Sequence, residues 1–208
     1  IFGQFIWTGT DYLGESGQWP SRGLNTGLLD FGSFPKPRGH FRAALWCDRP
    51  VTYVGAYPVT RRSGGWVSID APAVWNHEPG QTVRVVSYTN APAARLELNG
   101  RQVGDTRPHN DTTGIIHWDI PFEPGTLVAH GVDTDGTILS SDTIVTSGRP
   151  AALRITALGP TTLESHENVA HVLVEVVDDN GNPVTLADNN ITCRIEGGTV
   201  KLLGLEGS

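Results

Sequence analysis

The sequence predicts a mainly β chain, with immunoglobulin-like β-sandwich domains behind a short strand, loop and helix of the kind found in parallel α/β barrels. Three observations carry this. Residues 1–7, Ile-Phe-Gly-Gln-Phe-Ile-Trp, are almost wholly apolar, and polar chemistry starts only where that run stops. From Val51 onward the apolar period changes to two, as where Ala94, Leu96 and Leu98 alternate with Arg95, Glu97 and Asn99. Turn formers are frequent: 25 Gly and 14 Pro in 208 residues favour short strands joined by tight turns.

The opening run is too short for a buried helix and rich in aromatic and β-branched residues, so a strand covered on both faces is expected. The loop after it carries Trp7, Asp11 and Glu15. Parallel barrels place their chemistry at the C-terminal ends of strands, where loops vary without disturbing the core, so these three are candidate site residues. Trp19-Pro20 through Phe34-Pro35 is punctuated by Gly and Pro and reads as a long loop near the same mouth. In His40–Trp46, residues Phe41, Ala44 and Leu45 fall at i, i+3 and i+4 and mark one face of a helix. One strand and one helix do not close a barrel, so residues 1–46 are expected to lack most of their burial partners without further chain.

Strands are expected at Thr82–Tyr88, Ala94–Asn99, Gly114–Ile120, Thr126–Val132 and Thr137–Val145, with hairpin turns at Asn99-Gly100 and Asp135-Gly136. Trp66, Trp75 and Trp118 are expected in the core; an exposed coplanar pair among them would instead mark a sugar-binding face. Gly148-Arg149-Pro150 reads as a linker, followed by strands at Leu153–Leu158, His171–Val177, Ile191–Ile195 and Thr199–Leu203. The expected division is therefore 1–50, 51–147 and 148–208. The last piece is shorter than the about 100 residues of an immunoglobulin-like sandwich, so a partial domain is expected. Its acidic turn, Asp178 to Pro183, fails as a calcium loop: Pro183 replaces the glycine needed at the sixth position and Asn189 the bidentate glutamate at the twelfth. A hairpin turn is expected there.

Composition excludes several classes. The net charge is −7 and only Arg61 and Arg62 are adjacent basic residues, so no basic stripe exists to neutralise phosphates and nucleic acid is not an expected partner. No apolar run reaches the length of a membrane span. The chain opens without an initiator Met or a secretion signal, and a piece of a longer polypeptide is expected. Cys47 and Cys193 are expected as separate buried thiols. The seven histidines show no HExxH spacing and no Cys/His cluster, so neither a metal nor a cofactor is expected. There is also no Gly-x-Ser-x-Gly elbow.

The segment Phe5-Ile6-Trp7-Thr8-Gly9-Thr10-Asp11-Tyr12-Leu13-Gly14-Glu15, with Gly32-Ser33-Phe34-Pro35-Lys36 and Trp46, resembles the family 2 glycoside hydrolases, bacterial β-galactosidases in particular. The resemblance implies that the opening unit is the last strand and helix of a (β/α)8 catalytic barrel, with Trp7 in the wall around the reacting sugar. The stretch Tyr88 to Gly100 is similar to the sandwich that follows the barrel, and the chain from Gly148 resembles the start of a further immunoglobulin-like domain. It also implies that the two catalytic glutamates lie on an upstream barrel segment, which becomes an expected partner. Retaining glycosidases need two carboxylates about 5–5.5 Å apart, and Asp11 and Glu15 are not that pair. The expected substrate-binding residues are Trp7, Asp11, Glu15 and Trp19, with no catalytic residue and no activity in the isolated chain. Asp11 and Glu15 either bond a sugar hydroxyl or cap backbone amides, and Trp19 either lines a subsite or anchors its loop. A β-galactoside is the expected ligand of the whole enzyme, a glucuronide or mannoside the variant reading, and a bacterial periplasmic or extracellular location is expected. A non-catalytic carbohydrate-binding or spacer module of tandem sandwiches is the alternative.

Overall fold

The computed structural model describes residues 3, 5–21, 23–60, 65–159, 169–198 and 200–206. In chain order come two short strands, β1 (Tyr12–Leu13) and β2 (Gly23–Leu24), and the helix α1 (Pro37–Trp46). Then follow β3 (Thr52–Pro58), β4 (Thr82–Thr89), β5 (Ala93–Leu98), β6 (Arg101–Gln102), β7 (Arg107–Pro108), β8 (Ile116–Pro121), β9 (Thr126–Val132) and β10 (Ile138–Val145). The last two are β11 (Ala152–Leu158) and β12 (His171–Val177). The fold is mainly β, with one α-helix among the described residues. Two units are distinguished, residues 1–144 with 203–208, and residues 145–202.

In the first unit, a three-stranded sheet in the order β3-β4-β8 faces a second sheet in the order β10-β9-β5-β6, with β7 also paired to β5. Alternation decides what each strand buries. Along β5, Ala94, Leu96 and Leu98 point inward while Arg95 and Glu97 point outward, as the period of two predicts. They meet Val54, Val83, Val85, Trp118 and Leu127 in one core, where each fully buried Val or Leu contributes about 1.5–3 kcal/mol. Both core indoles find acceptors: Trp75 donates to the Glu123 carbonyl at 3.1 Å and Trp118 to the Asp105 carbonyl at 2.9 Å. Side chains of β10 reach the edge strand β3, where Ser140 Oγ lies 2.6 Å from Thr52 Oγ1 and Asp142 accepts the Val54 N–H at 2.8 Å. The hairpin at Asn99-Gly100 forms as expected, with φ of 53° and 77° and Leu98 opposite Arg101.

Strand β4 is buried along almost its whole length because its other face is covered too. Val86 and Tyr88 lie beneath α1, whose Phe41 and Ala44 pack there with Tyr53, Ala71 and Ile115. The rings of Tyr53 and Tyr88 stack at 5.2 Å, and both phenolic oxygens bond the passing 68–71 backbone. Pro37 opens the helix, where its missing N–H is no loss. Gly39 lets that first turn ride against residue 28, since a Cβ there would sit 2.4 Å from the Leu28 carbonyl oxygen. Of the predicted helical face, Phe41 and Ala44 are buried but Leu45 is 44% exposed, because the stripe facing β3 and β4 passes through the other two.

Four expectations are corrected. The buried opening strand is not present in its described part: residues 3 and 5–7 lie in no strand and Phe5 is fully exposed, since no described strand offers this run a backbone partner. Residues 1, 2 and 4 of that run lie outside the described residues, as do Arg61 and Arg62. The strands expected at Ile191–Ile195 and Thr199–Leu203 are likewise not formed in the described residues 191–198 and 200–203; Thr199 lies outside them. Cys47 and Cys193 are unpaired but half-exposed rather than buried. Trp75 and Trp118 are core residues as expected, while Trp66 is 68% exposed.

Among its described residues the second unit holds an antiparallel ribbon in which Leu153, Ile155 and Ala157 of β11 stand opposite Val176, Val174 and Val172 of β12. Its acidic segment is the expected turn. Asp178 Oδ1 accepts the N–H groups of Asn180 and Asn182, Oδ2 accepts that of Gly148, and Gly181 supplies a φ of 79°. These donors, the Gly148 N–H foremost, hold the Asp178 carboxyl below the usual carboxylate range.

Candidate functional site

The loop that carries the candidate residues is shaped by close backbone approaches. Tyr12 of β1 stands opposite Leu24 of β2, Thr10 bridges Leu29 in parallel, and Leu29 bridges Pro35. Gly27 is required at the crossing: a Cβ there would lie 2.5 Å from the Asp11 amide nitrogen and 2.6 Å from the Thr10 carbonyl carbon. That contact lets the Gly27 N–H donate to Asp11 Oδ1 at 2.8 Å. Lys36 Nζ closes the other side, donating to the two Asp11 oxygens at 3.0 and 2.9 Å and to the Asn25 carbonyl at 2.7 Å. The Asp11 side chain is 5% exposed and that of Lys36 19%. Asp11 is therefore engaged with an amide and an ammonium that fasten the two ends of the loop.

Above this clamp lies a polar chain on the surface. The Trp7 indole N–H donates to the Tyr12 hydroxyl at 3.1 Å, and that hydroxyl donates to the Glu15 carboxylate. Gly14 at φ 99° and Glu15 at φ 46° turn the backbone so that the carboxylate returns to Tyr12. The bond to Glu15 raises the Tyr12 pKa above its ordinary value and keeps the phenol protonated. Trp7 remains 75% exposed. An indole face fixed at its N–H, beside a carboxylate with acceptor capacity to spare, can stack on the apolar face of a sugar ring and bond its hydroxyls.

The structure thus joins Trp7 and Glu15 through Tyr12 and sets Asp11 in a separate ion pair. Trp19 is 81% exposed and shares no hydrogen bond or ring contact with the other three among the described residues. Sequence reasoning missed Tyr12 and Lys36 as working members. Tyr12 was legible as the phenol between an indole and a carboxylate in one turn, and Lys36 as the one lysine near the loop. Among the described residues no group of three or more His, Cys, Asp or Glu side chains is placed to hold a metal ion.

A two-sheet antiparallel sandwich carrying a helix on one face, preceded by an irregular aromatic loop, is the class of structure this chain defines. Residues 80–140 match the family described as "Domain of unknown function (DUF4982)". The chain is 30% identical over 200 residues to the beta-galactosidase BoGH2A of Bacteroides ovatus, a match covering 95% of this chain and 21% of that protein. It is 26% identical over 208 residues to a putative beta-glucuronidase of Formosa agariphila, covering 96% of this chain and 18% of that one. The crystal structure of a glycosyl hydrolase family 2 member from Bacteroides cellulosilyticus superposes with a TM-score of 0.71 at 25% identity, over 90% of this chain and 27% of the other. The chain is related to the β-galactosidases and β-glucuronidases of glycoside hydrolase family 2, and it spans only about a fifth of the length of the relatives it matches.

Proposed function

We propose that this chain is the C-terminal, β-rich part of a retaining glycoside hydrolase of family 2 that removes terminal β-D-galactosides. Its role is to contribute the Trp7, Tyr12 and Glu15 cluster to the sugar pocket. The observation that carries the reading is the exposed indole whose N–H is fixed through Tyr12 to Glu15. A Trp serving only a local core would be covered. In the whole enzyme an upstream barrel segment supplies the nucleophile and the acid/base glutamate, and the reaction passes through a glycosyl-enzyme intermediate that water resolves. Trp7 stacks on the sugar, Glu15 accepts from a hydroxyl, Trp19 extends the aromatic wall, and Asp11 maintains the loop with Lys36. The chain alone carries no hydrolytic activity on this reading.

The β-glucuronidase named among the relatives favours a second reading, in which the same mechanism acts on β-glucuronides. The non-catalytic module reading looks to Trp66, Trp75 and Trp118 for a platform; Trp75 and Trp118 are both 1% exposed and Trp66 alone is 68% exposed, so the three offer no exposed pair. The test is to express the longer polypeptide that carries this chain and to compare nitrophenyl β-D-galactoside with nitrophenyl β-D-glucuronide. Faster release from the galactoside supports the first reading and faster release from the glucuronide the second. Release from neither overturns both.

A further inference from the structure

On the outer face of the five-stranded sheet lies a recess of about 330 Å³. Its wall on one side is β7 and the residue before it, with Thr106 and Pro108, and on the other the β9–β10 turn, with Asp133 and Thr134; Pro92 and Arg95 complete it. Arg95 comes from the middle of β5, a strand paired on one side with β9 and on the other with β6 and β7. Its neighbours Ala94 and Leu96 are fully buried, so the guanidinium stands on rigid backbone. Among the described residues it has no ion pair and no hydrogen bond.

The acids of this face have local contacts and, among the described residues, none pairs with Arg95. A Glu97 carboxylate oxygen lies 3.5 Å from the His130 ring, Asp133, itself in the wall, accepts the Thr134 N–H through Oδ1 at 2.7 Å, and Asp135 accepts the Thr137 N–H through Oδ1 at 2.9 Å. The turn wall is preformed, with the Asp133 N–H bonded to the Thr137 carbonyl at 2.8 Å and the Gly136 N–H to the Asp133 carbonyl at 3.0 Å. A half-buried, unpaired guanidinium favours a carboxylate, which its planar fork meets with two parallel bonds. The hydroxyls of Thr106 and Thr134 suit a polyol, and the proline rings suit the apolar face of a pyranose. The volume stands at the small end of ligand pockets, about 300–1,000 Å³, which is room for one sugar ring.

We propose that this recess is a binding subsite for a single hexuronate residue, with Arg95 bidentate on its carboxylate. The inference is independent of the catalytic reading above, since the recess and the Trp7 cluster share no residue. The 208-residue chain is titrated with methyl β-D-glucuronide, methyl β-D-glucoside and inorganic phosphate, following the Arg95 Nε–H resonance and backbone amides. The expected result is saturable binding of the glucuronide, absent with the glucoside and with phosphate. It weakens about ten-fold or more in Arg95→Gln, as for loss of a charge-assisted hydrogen bond, falls to an intermediate degree in Arg95→Lys, and is unchanged in Trp7→Ala. Equal binding of glucoside or of phosphate overturns the proposal, as does glucuronide binding that both Arg95 variants leave intact or that the Trp7 variant abolishes. So does no binding at tens of millimolar. Should the glutamine variant fail to fold, the lysine variant decides alone.

Discussion

The sandwich and the loop ahead of it handle the same side chain in opposite ways. Trp75 and Trp118 sit between two sheets at 1% exposure with their N–H groups bonded to carbonyls, whereas Trp7 and Trp19 stand 75% and 81% exposed. What differs is the number of strands around them. The sandwich offers two paired sheets and a helix, so Trp75 and Trp118 are enclosed, while Trp66 stays 68% exposed. The loop offers a two-residue ribbon and isolated bridges, so it is ordered by polar contacts and close glycine crossings, above all Asp11, Lys36 and Gly27. The buried apolar core lies in the first region, and the exposed indoles of Trp7 and Trp19 lie in the second.

The contrast is broken or sharpened by mutation. Trp118→Ala removes a fully buried indole and is expected to cost about 3–5 kcal/mol by urea unfolding; a loss below about 1 kcal/mol would remove the sandwich from its place as the stable region. Asp11→Ala leaves the Gly27 N–H without its acceptor and the Lys36 ammonium with the Asn25 carbonyl alone. A cost of about 1–3 kcal/mol is expected, confined to the loop and read as faster hydrogen exchange at the Gly27 amide than at the amides of β4.

The third effect is smaller and depends on pH. Arg84 donates to both Asp119 oxygens at 2.7 and 2.8 Å, and these bonds hold the Asp119 carboxyl below the ordinary carboxylate range. A carboxyl with a depressed folded-state pKa contributes stability that is present above its unfolded value and lost as pH falls through the folded one. The urea midpoint of the parent chain should therefore fall more steeply than that of Asp119→Asn below about pH 4. Because the Asp119 side chain is 38% exposed, the difference at neutral pH is expected to stay under about 1 kcal/mol. The smallest effect is that of Trp7→Ala, expected within about 0.5 kcal/mol; a larger loss would mean that the indole supports the fold.

The sandwich was legible because its strands alternate cleanly, as in Ala94–Leu98, and end at Asn99-Gly100. Strand β3 was harder to see, since Gly55 and Pro58 interrupt its pattern; the structure explains the glycine, where a Cβ would lie 2.4 Å from the Ala71 carbonyl oxygen. Alternation also misled. Ile191–Ile195 has apolar residues at both ends but, among the described residues, no neighbouring strand to satisfy its backbone, and pattern alone does not reveal that. In the candidate site, the residue types were legible and their partnerships were not. Glu15 meets Tyr12 only because Gly14 and Glu15 both adopt positive φ, and Asp11 meets Lys36 across 25 residues of chain.

The most direct test of the central claim is the kcat/KM of the longer enzyme carrying Trp7→Ala, measured on nitrophenyl β-D-galactoside with its melting temperature followed in parallel. A fall of about 100-fold, near 2.7 kcal/mol of lost transition-state stabilisation, at an unchanged melting temperature is the result this account predicts. An unchanged kcat/KM, with the variant fully folded, would contradict it.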